Sequence, residues 1–322
     1  MVVKLTFPTS WHKTDLWSNF LAQSLNSSGV WGNMKYEINN ETDNCDFWIV
    51  IGNLNKKESA FVRYETIFIP SEERESIPNY SNKFLSQFNK IATSREDMLS
   101  KFSNTYKIQY ICPWQLQKTY DELIITPPIQ KQKTISAIIS NLYISELHKK
   151  RFILLNKLQG HFKDKLDWYG RGNIYIKDKT EGLYPYKYSI AIENSIYNDY
   201  WTEKIADCFL SYTMPIYFGC PNITDYFDHK SMILLNDIDD YKEIIHTIES
   251  AIDNKYYEHN IQYIIDSREK VLHQYQLFPV LNKLIQNIQY QLNKKVTILP
   301  IQEFTNEKLI ISTLKKIYQR IK

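Results

Sequence analysis

The stretch "IENSIYNDYWTEK" carries Glu193, Asn194, Tyr200, Glu203 and Lys204 within a short span. The residues before it, "YSIAI", read as a buried strand, and those after it, "EKIADCFL", read as a helix. Glu193 and Asn194 therefore fall at the carboxyl edge of a strand. Asn198 or Asp199 is expected to cap the following helix, with Tyr200, Glu203 and Lys204 in or just before its first turn. A lysine there sits at the positive end of the helix dipole, which is unfavourable unless an anion approaches. Free amide N–H groups beside a lysine suit a phosphate. A glutamate can accept two hydrogen bonds from the vicinal hydroxyls of a ribose, and an aromatic ring can cover a base or a diphosphate. The segment has the groups that bind a nucleotide. The alternative is a capped helix with a solvated Glu–Lys pair and no ligand.

The elements around it set where these groups stand. "VVKLTF" reads as a first strand, "TDLWSNFLAQSL" as a helix with apolar residues at helical spacing, and "CDFWIVIGN" and "ETIFIP" as strands. A Pro-rich polar segment, "TPPIQKQK", separates these from a second run of the same rhythm. In that run "TISAIIS" is a strand, "SELHKKRFILLNKLQGHF" a helix, "YKYSIAIEN" a strand, "YWTEKIADCFLSY" a helix, and "MPIYFG" and "SMILLND" strands. Residues 241–295 read as mostly helical. A strand–helix rhythm that restarts implies two successive α/β domains with parallel sheets. In such sheets ligands bind beyond the carboxyl ends of the strands. The expected division is 1–130, 131–295 and a helical tail, 296–322.

With 322 residues the chain is long enough for two domains, and a formal net charge of +3 is too small a bias to make nucleic acid a main partner. The abundance of Tyr, 24 copies, suits sugar and base stacking as well as ordinary cores. Cys45, Cys112, Cys208 and Cys220 show neither CxxC pairs nor zinc spacing and read as buried free thiols. The N-terminus lacks the pattern of a signal peptide, and no apolar run approaches the ~20 residues of a membrane span. The expected compartment is the cytoplasm. The tail "EKLIISTLKKIYQRIK" has Ile310, Leu314, Ile317 and Ile321 on one helical face, ringed by lysine and arginine, so contact with an anionic inner membrane face is an alternative to docking on its own domain.

"YKYSIAIENSIYNDYWTEKIADCFLSYTMPIYFGCP" closely resembles the signature segment of the α1,3/1,4-fucosyltransferases, glycosyltransferase family 10. Tyr186, Lys187, Glu193, Asn194, Tyr200, Thr202, Glu203, Lys204, Pro215 and Gly219 match its pattern. Tyr188, Ile192 and Trp201 depart from it mildly. Weaker echoes lie in "ISAIISN", with Ser140 and Asn141, followed by a helix carrying Arg151, and in "LDWYGRG". Arg151 stands further along than the family spacing, which leaves Lys149 or Lys150 as substitutes.

The resemblance implies a GT-B fold, two Rossmann-like domains facing a central cleft. It also implies inverting transfer of fucose from GDP-fucose to a glycan acceptor, without a cofactor or an essential metal. Donor-binding residues would be Ser140, Asn141, Arg151, Glu193, Asn194, Tyr200, Glu203 and Lys204. Inversion needs a base on the acceptor hydroxyl and positive charge on the leaving diphosphate. The family base is a glutamate after a strand of the N-terminal domain; "TIFIPSEE" offers Glu72 or Glu73, and the strand ends favour Glu72. "DIDD", Asp237 to Asp240, reads as a helix cap and solvated loop, not a metal site. Another nucleotide sugar on the same fold, or a catalytically idle glycan-binding relative, would carry much of the same pattern. Replacing Lys204 by Ala is expected to slow transfer about a hundredfold while leaving folding stability nearly unchanged.

Overall fold

The computed structural model describes residues 1–8, 20–70, 80–111, 113–140, 145–286 and 291–304. In chain order the strands are β1 (Val2–Thr6), β2 (Val30–Trp31), β3 (Met34–Ile38), β4 (Asn44–Ile51), β5 (Glu58–Ile69), β6 (Lys90–Thr93), β7 (Thr105–Lys107), β8 (Lys133–Ile138), β9 (Leu166–Tyr169), β10 (Tyr186–Ile192), β11 (Met214–Phe218), β12 (Ile233–Leu234) and β13 (Lys294–Ile298). The helices are α1 (Asn82–Leu85), α2 (Glu96–Lys101), α3 (Tyr120–Ile125), α4 (Glu146–Phe162), α5 (Glu203–Leu210), α6 (Tyr241–Asp253), α7 (Tyr256–Lys270) and α8 (Leu277–Gln286).

Two α/β units of Rossmann-like winding result, the architecture of a GT-B chain. In the first unit the strands run β2-β3-β1-β4-β5-β6-β7. All neighbours are parallel except the β2–β3 hairpin and β13, which pairs antiparallel with the amino half of β5. One face of this sheet buries Trp48, Val50, Val62 and Phe68 against Phe84, Phe88 and Ile298. Strands covered on both faces read as nearly continuous apolar runs, and β4 does so from Phe47 to Ile51.

In the second unit the order is β12-β11-β10-β8-β9, all parallel. The chain leaves β8 toward β9 on one side and returns to β10 on the other. The winding therefore reverses between β8 and β10, the place where open α/β sheets bind ligands. The link from β8 to β9 is α4, anchored by buried Leu154, Leu155 and Leu158. The link from β9 to β10 has no α-helix. It is an irregular run with one 3-10 turn, Lys179–Gly182, held by a capping box between Asp178 and Glu181.

The units divide differently from the sequence reading. The first comprises Met1–Ile108 and Val280–Lys322, the second Gln109–Pro279. Residues 109–130 join the second unit because their polar groups are satisfied there: Tyr110 N donates to Asp199 O at 2.9 Å and Gln115 N to Asp207 Oδ1 at 3.0 Å. Lys131 extends this, its Nζ donating to Tyr184 O, Ser211 O and Thr213 Oγ1 at 2.9, 2.7 and 3.0 Å. The expected tail from residue 296 also fails as a helix in its first part, since Lys294–Ile298 is a strand of the first sheet and Ile301–Phe304 a 3-10 turn. The membrane-facing stretch lies outside the described residues. So do residues 14–19 of the expected first helix. Its last part is a pair of 3-10 turns, Leu21–Gln23 and Leu25–Ser27, not an α-helix. Among the described residues no helix is long and apolar enough to cross a membrane. Cys45, Cys208 and Cys220 are free and buried; Cys112 is outside the described residues.

Arg268 on α7 fastens the helices of the second unit. It is 2 % exposed, donates to Leu123 O at the end of α3 and to Leu210 O at the end of α5 (3.4 Å), and stacks on the Tyr212 ring at 4.6 Å. Tyr212 itself has φ +54, so the guanidinium braces a strained turn. Replacing Arg268 with Ala takes a donor from the carbonyls of two helix ends, Leu210 O and Leu123 O, the latter keeping the Thr126 amide at 3.1 Å. A loss of about 3 kcal/mol is expected, to be read as a lower denaturation midpoint; an unchanged midpoint would show that the clasp is dispensable.

Candidate donor-phosphate site

β10 delivers Glu193 and Asn194 to the reversal point of the second sheet. Glu193 is fully buried, 0 % exposed, and turns inward. Its carboxylate accepts from Thr202 N at 2.9 Å and from Thr202 Oγ1 at 2.7 Å, and it lies 3.4 Å from Lys204 Nζ. Burial raises its pKa, while the Lys204 charge and the Thr202 bonds pull it back. It is the anchor of the loop 194–202 and offers no free edge to a ribose.

Thr202, not Asn198 or Asp199, is the cap of α5, and it holds three partners with one hydroxyl: it donates to Glu193 and accepts from Lys204 N at 3.4 Å and Lys204 Nζ at 3.1 Å. Asp199 cannot cap because it makes the turn. It adopts φ +62 and is gripped by Asn222, whose Oδ1 accepts from Asp199 N at 2.8 Å, and by Tyr226, whose hydroxyl donates to Asp199 Oδ1 at 2.6 Å. That turn drives Tyr200 inward. The Tyr200 ring is 0 % exposed and packs between Tyr197 and Tyr110, centroids 4.5 and 4.9 Å away. It is a floor beneath the loop, not an open stacking surface.

Lys204 is 19 % exposed at its side chain and sits between two carboxylates, Glu193 at 3.4 Å and Glu203 at 3.3 Å. It is not the exposed, stability-neutral lysine the sequence suggests. Arg151 reaches the same edge from α4, only 4 % exposed, and donates to Asn194 Oδ1. Lys149 and Lys150 do not replace it, since Lys149 pairs with Glu146 at 3.2 Å and Lys150 with Asp239 at 2.5 Å. Arg151, Asn194 and Lys204 are thus gathered at the edge between β8 and β10. Ser140 lies just beyond β8; its backbone is approached closely by Gly170, where a Cβ would stand 2.8 Å from Ile139 O and 3.2 Å from Ser140 N, at φ +124. Only glycine fits that contact. Asn141, Glu72 and Glu73 lie outside the described residues.

The acidic run behaves as a cap and loop: Asp240 accepts from Glu243 N at 3.0 Å and Asp237 from Asp239 N at 2.9 Å. Among the described residues no cluster of His, Cys, Asp and Glu could hold a metal. Two groups were missed in the sequence. Lys179 and Asp207 pair at 2.9 Å and line, with Lys204, Ile138, Ser189 and Ile192, a small cavity of about 30 Å³ at this edge.

Gly219 explains its place in the motif. A Cβ there would come within 2.8 Å of Glu193 Cβ and 2.9 Å of Tyr217 Oη. Gly219→Ala should cost about 2 kcal/mol by overpacking and disturb the α5 cap through Glu193. Equal thermal stability of the variant and the parent would refute this reading of the contact.

Residues 128–304 match the C-terminal domain of glycosyltransferase family 10 (fucosyltransferase). The chain is 36 % identical over 89 residues to an α-(1,3)-fucosyltransferase of Helicobacter pylori and 37 % identical over 84 residues to α-(1,3)-fucosyltransferase B of Drosophila melanogaster; each match covers 26 % of this chain and 19 % of the relative. The matched span is thus about a fifth of the relatives' own length. Among solved structures, a glycosyltransferase from Rickettsia africae superposes with a TM-score of 0.50 at 10 % identity, covering 88 % of this chain and 97 % of that one, which is a likeness of fold. With more than half its length inside the family domain, this chain is a member of glycosyltransferase family 10.

Proposed function

We propose that the protein is an inverting glycosyltransferase that moves fucose from GDP-fucose to a glycan acceptor, with α1,3 linkage the favoured outcome. The observation that carries this is the convergence of Arg151, Asn194 and Lys204 on the carboxyl edge where the second sheet reverses, beside the first turn of α5. Family membership supports the donor: the family is that of fucosyltransferases.

In the proposed reaction the acceptor hydroxyl attacks the anomeric carbon of fucose from the side opposite GDP. Its proton passes to Glu72, with Glu73 the neighbouring choice. The C–O bond to the diphosphate breaks, and GDP leaves with a growing negative charge. Lys204, the amides of the α5 first turn and Arg151 stabilise that charge, an effect that acts mainly in the transition state. Glu193 and Thr202 hold the lysine and the helix end in position beforehand. No metal is assigned a part, because cationic side chains supply the charge; the reading includes transfer that survives chelation. Glycan biosynthesis in the cytoplasm, on protein or lipopolysaccharide acceptors, is the setting this reading favours.

Thermal-shift measurements with GDP, UDP, ADP and CMP test the donor. At a hundred times its dissociation constant, GDP should stabilise by about 2.7 kcal/mol. Stabilisation by UDP alone would point to another nucleotide sugar, and no response to any of them would favour an idle glycan-binding relative. Transfer assayed in EDTA should be retained; loss restored by Mn²⁺ would overturn the metal-free reaction. Lys204→Ala should reduce turnover on the order of a hundredfold. It should also lower stability by roughly 3 kcal/mol, because it strips the buried Glu193 of its counter-charge. Near-normal transfer in this variant, assayed below its melting temperature, would remove Lys204 from the mechanism. Glu72→Gln should keep GDP affinity and lose transfer.

A further inference from the structure

The charges around the small cavity at the α5 edge do not favour an anion by themselves. Lys204 touches Glu193 and Glu203, so two carboxylates surround one ammonium. A third carboxylate, Asp207, lies on the next turn of the same helix, 1 % exposed. Left alone, these three acids would outweigh Lys204 and offset the attraction that Arg151 adds at the same edge. Lys179 changes the balance. It projects from the 3-10 turn of the crossover between β9 and β10, its Nζ 2.9 Å from Asp207 Oδ2, and lines the same cavity as Lys204. The remaining oxygen of Asp207 accepts from Gln115 N at 3.0 Å.

We propose that Lys179 is a positioning residue for the donor diphosphate: it neutralises Asp207 beneath the first turn of α5 and so keeps the cation of Lys204 available to the anion. The inference rests on the donor assignment above and goes beyond it in naming a residue outside the family signature. Lys179 acts through Asp207, without touching the phosphates. The distinction matters for the test, because a contact residue and a neutralising residue respond differently when the acid is removed as well.

Lys179→Met, Asp207→Asn and the double variant are compared by calorimetric GDP binding at pH 8.5, with melting temperatures recorded without ligand. Burial already lifts Asp207 to about 6 beside Lys179; removing Lys179 takes away the charge that holds it down, so the alkaline buffer is chosen to oppose its protonation. The groups facing it are Lys179, Glu203, Cys208 and the Gln115 amide. Lys179→Met should weaken GDP binding at least tenfold, and the double variant should recover most of that loss. Lys179→Arg should bind as the parent does. Two results overturn the inference: unchanged GDP affinity in Lys179→Met, whatever its melting temperature, or a double variant as weak as Lys179→Met. If the unaltered protein binds no GDP at all, the donor assignment fails first, and that outcome is distinct from each of these.

Discussion

A carboxylate with no exposed surface must be answered from inside the fold, and Glu193 is answered by the amide and hydroxyl of Thr202, by the Tyr217 hydroxyl and by the Lys204 ammonium. That requirement organises the whole edge of the second sheet. Thr202 has to stand where it can reach back to β10, which fixes the start of α5. Asp199 has to take a left-handed turn so that the chain can return over that distance, and Asn222 and Tyr226 exist in this arrangement to hold it. Gly219 has to lack a side chain because the glutamate occupies the space. An unpaired buried charge costs several kcal/mol, so none of these positions is free to vary alone.

The same chemistry accounts for what the edge is able to do. A preorganised cation stabilises a developing negative charge because it need not reorient when the charge appears. Lys204 meets that condition through its contact with Thr202 and two carboxylates, at the expense of partial neutralisation by them. Arg151 supplies a second cation from a different helix, itself oriented by Asn194. Alternation of sign, acid beside base along α5 and the neighbouring crossover, keeps the group stable.

Much of this was legible in residue order. The strands β1, β4, β8, β10 and β11 are short apolar runs bounded by polar turns, and their rhythm with helices identifies parallel α/β units. The signature residues from Tyr186 to Gly219 are local in sequence, so they are readable together. Features that depend on distance or direction were not legible. β13, "KKVTI", has two lysines and lies at the end of a helical stretch; only its pairing with β5 makes it a strand. Glu193 and Tyr200 were assigned to the ligand because the pattern shows position along the chain but not which way a side chain turns. Lys179 and Asp207 belong to different elements and carry no mutual spacing signal, so their pairing required the fold. The cap was misplaced because Asn198, Asp199 and Thr202 are all good capping residues, and the choice among them was made by the buried acid.

The strand β5 is long enough to take β6 on its carboxyl half and β13 on its amino half along the same edge. The latter partner lies beyond the entire second unit in sequence. On a ribosome, where residues emerge in order, the first sheet must therefore wait with an exposed edge while residues 109–279 are made, and it closes only when β13 arrives. The unit that begins the chain is the last to be completed, and the interval leaves an open strand edge that invites pairing with a neighbour. Slow translation after residue 109 lengthens that exposure, whereas rapid passage to residue 298 shortens it.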